Sequence, residues 1–217
     1  MTDRRGLFIT FEGLDGSGKT TQMRRFAERL RAAGRTVVET VEPGGTAVGS
    51  AIRAILLDPR HHGMASEAEM LLYFAARAQN VQEILEPALK RGDVVISDRW
   101  TDSTLAYQGY GRGLGAGVVE ELDRYACRGR RPDVTFWIDA PLEASLERAR
   151  ARNAAVEETQ TRMDEQEQAF YERVECGYRA LAEGEPERVV RVDGAGTPEE
   201  VEARVWQAWR KWEARHV

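Results

Sequence analysis

Residues 7–20 read LFITFEGLDGSGKT. The run Leu7 to Phe11 is apolar, β-branched or aromatic, and predicts a short strand. At Gly13 the character changes. Gly13-Leu14-Asp15-Gly16-Ser17-Gly18-Lys19-Thr20 meets the pattern G-x-x-x-x-G-K-[ST] at every fixed position. A helical pattern follows from Lys19 to Ala33, and Gly34 is placed to cap it. Strand, glycine-rich loop and helix in that order is the context in which this motif has a mechanism. The glycines let the backbone curl so that successive N–H groups point at phosphate oxygens. The helix N-terminus adds partial positive charge. Lys19 is then suited to neutralise β- and γ-phosphates, and the Thr20 hydroxyl to ligate Mg²⁺. The stretch predicts a nucleoside triphosphate site.

Working outward, four more apolar runs alternate with helical patterns. Thr36 to Val41 is the second strand candidate, broken by Pro43-Gly44-Gly45, and a helix is expected from Thr46 to Leu57. Glu67 to Arg91 reads as one long helix with a bend near Pro87. Val94 to Ser97, Val134 to Ile138 and Arg188 to Val192 complete the strands. Buried runs separated by helices predict a parallel sheet covered on both faces. With the loop, this gives a three-layer α/β fold of the P-loop NTPase type, with five parallel strands. No linker rich in Pro, Gly or Ser divides the chain, so one domain is expected over residues 1–217.

Composition narrows the function. Hydrophobic residues are 42% and charged residues 31%, which excludes disorder and fibrous classes. No apolar run approaches the ~20 residues that span a bilayer, and the N-terminus lacks a signal peptide's apolar core. A cytoplasmic location is expected, with no membrane partner. The net charge of −5 argues against sequence-independent nucleic-acid binding, which needs a basic face. Cys127 and Cys176 show no metal-ligand spacing and read as plain thiols.

The loop alone does not separate switch GTPases, motor ATPases and phosphotransferases. An Asn-Lys-x-Asp base-reading motif is absent. The strand Val94 to Ser97 ends in Asp98-Arg99. An arginine directly after the acid suits a second, phosphate-bearing substrate better than a hydrolytic base. The segment Glu147 to Gln168 is nearly free of large apolar residues and dense in charge. It reads either as a solvated face or as a lid carrying arginines.

Several stretches together resemble the bacterial thymidylate kinases: FEGLDGSGKTTQ from Phe11, EPGGT from Glu42, the segment Tyr73 to Gln79, DRWTDSTLAYQGYGRG from Asp98, and RPD from Arg131. The agreement runs from about residue 7 to the C-terminus, and the Asp98 stretch is its most specific part. The resemblance implies transfer of a phosphoryl group from ATP to thymidine monophosphate (dTMP). It implies Mg²⁺, small nucleotides as the only partners besides a second copy in a homodimer, and a set of site residues. Asp15 contacts the acceptor sugar. Arg99 grips the acceptor phosphate, with Asp98 reaching Mg²⁺. Tyr73 stacks on the base, with Phe74 the alternative one position later, and Arg77 donates to a base carbonyl. Ser103 and Thr104 supply hydroxyls to the base edge, and Gln108 belongs to the dTMP-binding set. Tyr107 sits against the sugar, where its ring leaves no room for a ribose 2′-hydroxyl.

The chain also departs from the family's pattern. Val41 stands where an arginine is usual, Arg53 in the following helix is the expected compensation, and Trp100 replaces a Tyr, Phe or His. Family members without an arginine in the loop carry the charges in the lid. This chain has Gly16 in the loop, so the lid, about residues 148–164, is expected to supply Arg148, Arg152 and Arg162, with Arg150 nearby. The alternative readings are another deoxynucleotide or deoxynucleoside kinase on the same fold, or a non-catalytic P-loop ATP-binding protein.

Overall fold

The computed structural model describes residues 5–155, 161–163 and 166–216. Five strands form one sheet: β1 Leu7–Glu12, β2 Val37–Val41, β3 Val94–Asp98, β4 Val134–Asp139 and β5 Val189–Asp193. Their order is β2-β3-β1-β4-β5, and every pairing is parallel. β1 lies at the centre and is buried along its whole length, as a strand covered on both faces must be. The edge strands β2 and β5 are only partly buried.

The helices are α1 Lys19–Ala32, α2 Ala47–Leu57, α3 Ser66–Asn80, α4 Glu86–Lys90, α5 Thr101–Thr104, α6 Ala116–Ala126, α7 Leu142–Ala155, α8 Gln168–Gly184 and α9 Pro198–His216. On α1 the buried residues Met23, Phe26, Ala27 and Leu30 recur at helical spacing. They meet Val201, Val205 and Trp209 of α9 over Ile9, Phe11 and Phe136 of the sheet. α1 ends as expected. Gly34 adopts φ +79°, its N–H donates to the Arg31 carbonyl, and the Arg35 N–H reaches the Leu30 carbonyl. On β1, Leu7, Ile9 and Phe11 face α1 and α9, while Phe8 packs on the other side with Val81, Leu85 and Trp100. By the two-residue strand period, Thr10 and Glu12 share Phe8's side.

The long helix expected over Glu67–Arg91 is interrupted differently from the sequence reading. α3 runs into a wide helical turn over Val81–Leu85, in which the Glu86 N–H bonds the Val81 carbonyl, and α4 follows. The wide turn ends two residues before Pro87, which has no N–H to continue the helical ladder. A second wide turn, Leu105–Gly111, continues α5. It packs closely on α8, where a Cβ on Gly177 would lie 2.9 Å from the Ala106 Cα. Trp100 is buried against Phe8 with ring centroids 4.9 Å apart, so its departure from the family pattern is a matter of core packing. Both cysteines are unpaired, Cys127 buried and Cys176 exposed. Burial pushes the Cys127 thiol well above its ordinary value. Among the described residues, no helix is long and apolar enough to cross a membrane.

Candidate active site

A cleft of about 250 Å³ opens beyond the carboxyl ends of β1 and β3, with Asp15, Lys19, Asp98 and Arg99 among its walls. This is where parallel α/β sheets bind ligands. On one side lies the loop between β1 and α1. Gly16 has φ +77°, and a Cβ there would lie 2.0 Å from the Ser145 carbonyl oxygen. Only glycine satisfies both the dihedral and the approach. Lys19, the first residue of α1, is buried, and its Nζ donates to the Leu14 carbonyl (3.4 Å) and to Asp15 Oδ1 (3.2 Å). Thr20 Oγ1 donates to Asp98 Oδ2.

On the other side Arg99 leaves β3 with φ +73°, a region that disfavours a side-chain-bearing residue. Two bonds to the end of β1 hold that turn. The Arg99 N–H donates to the Phe11 carbonyl (3.0 Å), and the Trp100 N–H to Glu12 Oε1 (2.7 Å). The guanidinium then projects into the cleft. Nη2 donates to Asp15 Oδ1 (2.9 Å) and the Tyr107 hydroxyl (3.3 Å), and Nη1 to Ser103 Oγ (2.9 Å) and the Tyr178 hydroxyl (3.3 Å). Burial opposes ionisation of Asp15, but Arg99 and Lys19 together hold its carboxyl well below the usual range. One carboxylate therefore joins the loop lysine to the β3 arginine.

Arg77 of α3 is 1% exposed and donates to Thr104 Oγ1 (3.0 Å) and Thr101 Oγ1 (3.3 Å). Tyr73 lines the cleft. Phe74 does not: it is buried with Met70, Val119 and Ala126 beneath α3. Neighbouring helix positions point about 100° apart, so Phe74, expected as an alternative base contact, is instead a core residue. Ser103, Thr104, Tyr107 and Gln108 all border the cleft, as does Arg53, whose Nη1 donates to the Pro43 carbonyl (3.1 Å). Val41 borders the same wall, so Arg53 brings a cation to the region where Val41 brings none.

The expected lid arginines separate. Arg148 on α7 donates from Nε to the Gly16 carbonyl (2.8 Å), directly at the loop. Arg150 borders a surface groove with Glu143, Glu147 and Gln166. The side chain of Arg152 lies outside the described residues. Arg162 is buried, with Nη1 2.7 Å from Glu69 Oε2 and Nε donating to the Leu56 carbonyl. Its charge is spent on an anchor and does not stand free over the loop.

Four residues that carry the site's electrostatics escaped the sequence reading. Glu12 accepts bonds from the Trp100 N–H, Ser103 Oγ and the Tyr178 hydroxyl. Burial and the nearby charge of Asp102 push it up to about 7, against the pull of Arg99. Its one signal was an acid closing an otherwise apolar strand. Glu42 is buried 3.8 Å from Arg77 Nε, beyond hydrogen-bond range, and burial pushes it up to about 8 despite that arginine. Glu69 and Tyr178 lie on helices with nothing local to mark them.

A central β1, the loop it feeds and a charged cleft at the sheet's carboxyl edge define the P-loop phosphotransferase class. A family model described as thymidylate kinase matches residues 11–205. The thymidylate kinase of Solidesulfovibrio magneticus is 48% identical over 92% of this chain and 97% of its own. That of Desulfovibrio desulfuricans is 49% identical over 90% and 91%. The crystal structure of thymidylate kinase from Ehrlichia chaffeensis superposes with a TM-score of 0.76 at 32% identity, covering 95% of this chain and 99% of that one. The chain belongs to the thymidylate kinase family.

Proposed function

We propose that this protein transfers the γ-phosphoryl group of ATP to dTMP, giving the diphosphate. The observation that carries the reading is the Asp15 bridge. Its Oδ1 lies 3.2 Å from Lys19 Nζ, on the donor side, and 2.9 Å from Arg99 Nη2, on the acceptor side. Two cations held on one carboxylate bring donor and acceptor phosphates to one point, and positioning is most of phosphoryl-transfer catalysis.

In this reading the backbone of Gly13 to Gly18 and Lys19 bind the donor phosphates, and Arg99 binds the acceptor phosphate. Tyr73 stacks on thymine, while Arg77, Thr104 and Gln108 read its edge and Tyr107 excludes a ribose hydroxyl. Arg148, the described lid arginine that touches the loop, supplies charge to the transferring group. The Thr20 hydroxyl and Asp98 carboxylate are adjacent hard oxygen donors, the set that Mg²⁺ accepts alongside substrate phosphates. When bound there, Mg²⁺ would neutralise charge developing on the phosphates.

The chain is further proposed to pair as a homodimer through α2 and α3. In support, Val48 and Ile55 of α2 and Leu71 of α3 are exposed on helices that pack side by side. Sedimentation at micromolar protein checks this.

The function is tested with Mg-ATP and a panel of nucleosides and nucleoside monophosphates. The expected result is diphosphate production fastest with dTMP. Faster turnover of another acceptor would reassign the substrate, and ATP binding without any product would remove catalysis.

A further inference from the structure

Glu69 lies one helical turn before Tyr73 on α3, and its residue is 1% exposed. Three partners converge on its carboxylate. Gln108 Nε2 donates to Oε1 at 2.8 Å. Arg112 donates from Nε to Oε1 at 3.1 Å and from Nη2 to Oε2 at 3.0 Å. Arg162 Nη1 sits 2.7 Å from Oε2. The two arginines are also joined through Gln166. Arg112 Nη1 donates to Gln166 Oε1 (2.6 Å), and Gln166 Nε2 donates to the Arg162 carbonyl (2.9 Å). The Arg162 N–H is fixed to the Leu57 carbonyl at the end of α2 (3.2 Å).

A buried ion cluster is a poor source of stability, since apolar packing does as well. What it supplies is geometry, because every member is held in one orientation. The geometry here concerns the Gln108 amide. An ionised carboxylate only accepts hydrogen bonds. Glu69 therefore requires the Gln108 NH₂ to turn towards it, which leaves the amide oxygen as the group offered to the cleft. Burial opposes the charge on Glu69, but its bonds to Arg112 and Gln108 keep its pKa below the ordinary value.

We propose that Glu69 is a positioning residue for acceptor-base selection. Its carboxylate locks the Gln108 amide with the oxygen facing the base, and Arg162 ties that lock to the lid's anchor. An oxygen there accepts from a base imino N–H, which thymine carries at N3. Cytosine presents a lone pair at the same position and is repelled. This deepens the dTMP-kinase reading and rests on it.

The test measures kcat/KM for dTMP and dCMP in wild type, Glu69→Gln, Gln108→Ala and the double variant. A glutamine at position 69 both donates and accepts, so it frees the Gln108 amide to flip. Glu69→Gln is expected to narrow the dTMP-to-dCMP ratio by roughly tenfold. That narrowing should vanish in the Gln108→Ala background, because coupled residues are non-additive. A lowered melting temperature with an unchanged ratio, or full additivity in the cycle, overturns the proposal and leaves a structural role. If Glu69→Gln does not fold, Glu69→Asp keeps a carboxylate on α3 for the arginines but withdraws it from the Gln108 amide. It should narrow the ratio several-fold, again only while Gln108 is present, and an unchanged ratio counts against the lock. Wild-type protein inactive on dTMP would sink the functional reading itself, a different outcome from an active wild type with additive variants.

Discussion

On the donor side of the cleft a single loop, Gly13 to Gly18, presents its backbone, and one buried cation, Lys19, completes it. On the acceptor side almost nothing is backbone. Arg99 from β3 is held by Asp15 of the loop, Ser103 of α5, Tyr107 of the following wide turn and Tyr178 of α8. Behind them stand the buried carboxylates Glu12, Glu42 and Glu69. The donor side binds a group common to every nucleotide, and fixed amide dipoles suffice for it. The acceptor side must tell one base and one sugar from others, which takes side chains of defined donor and acceptor pattern. The first depends on local chain geometry, the second on the whole fold arriving in register.

The largest expected effect tests whether the sides act separately. Lys19→Ala should reduce turnover by about three orders of magnitude, since it removes a buried charge acting on the transferring group. Binding of dTMP, followed by calorimetry, should change far less. An equal loss of dTMP affinity would mean that the 3.2 Å contact between Lys19 and Asp15 makes the two sides one unit.

This division also explains what could be read from the chain. The donor loop is contiguous, so its glycines, Lys19 and Thr20 are legible as a string, and the apolar runs 7–11, 94–97 and 134–138 name the inner strands. Val41, Arg53 and Tyr107 were placed through family likeness, and their position around the cleft depends on turns that no pattern reveals. Glu69 meets Gln108 across 39 residues, and Tyr178 meets Glu12 across 166. Such pairs exist only after the sheet has ordered its strands. Arg162 shows the same limit in reverse. It stands in a charged, apolar-poor segment, yet the fold buries it on Glu69.

The next effect concerns α7. Arg148 is exposed and makes one bond to the loop, Nε to the Gly16 carbonyl. Arg148→Ala should leave the melting temperature unchanged yet reduce kcat by about a hundredfold if its charge reaches the transferring group. Unchanged kcat would reduce Arg148 to a surface link and leave the donor side with its backbone and Lys19. On the acceptor side, Tyr107→Ala should narrow the preference for dTMP over its ribose counterpart by roughly 10–200-fold. Tyr107→Phe keeps the ring and loses only the bond to Arg99, so its sugar preference should persist. If both variants lower the two specificity constants in parallel, Tyr107 is packing for Phe170 and Tyr178, not a gate.

The smallest effect is a slope. Glu42 faces Arg77 without a hydrogen bond, and burial raises it from 4.5 to about 8. Between those values the folded chain holds a proton on Glu42 that the unfolded chain has released. Stability changes with pH as the protons bound by the unfolded state minus those bound by the folded state, so here the sign is negative. Folding free energy is fully favoured below about pH 4.5 and declines, by at most about 1.4 kcal/mol per pH unit, until Glu42 ionises near 8. Glu12, raised to about 7, adds a decline of the same sign that ends earlier. Glu42→Gln removes one of these two protons from the balance. Urea denaturation of wild type and variant at pH 5, 6, 7 and 8 should therefore show the variant gaining relative stability at each step. On the donor side Asp15 is held ionised across this range. A parallel pair of curves would place the Glu42 proton release outside the window and leave the acceptor side no more pH-sensitive than the loop.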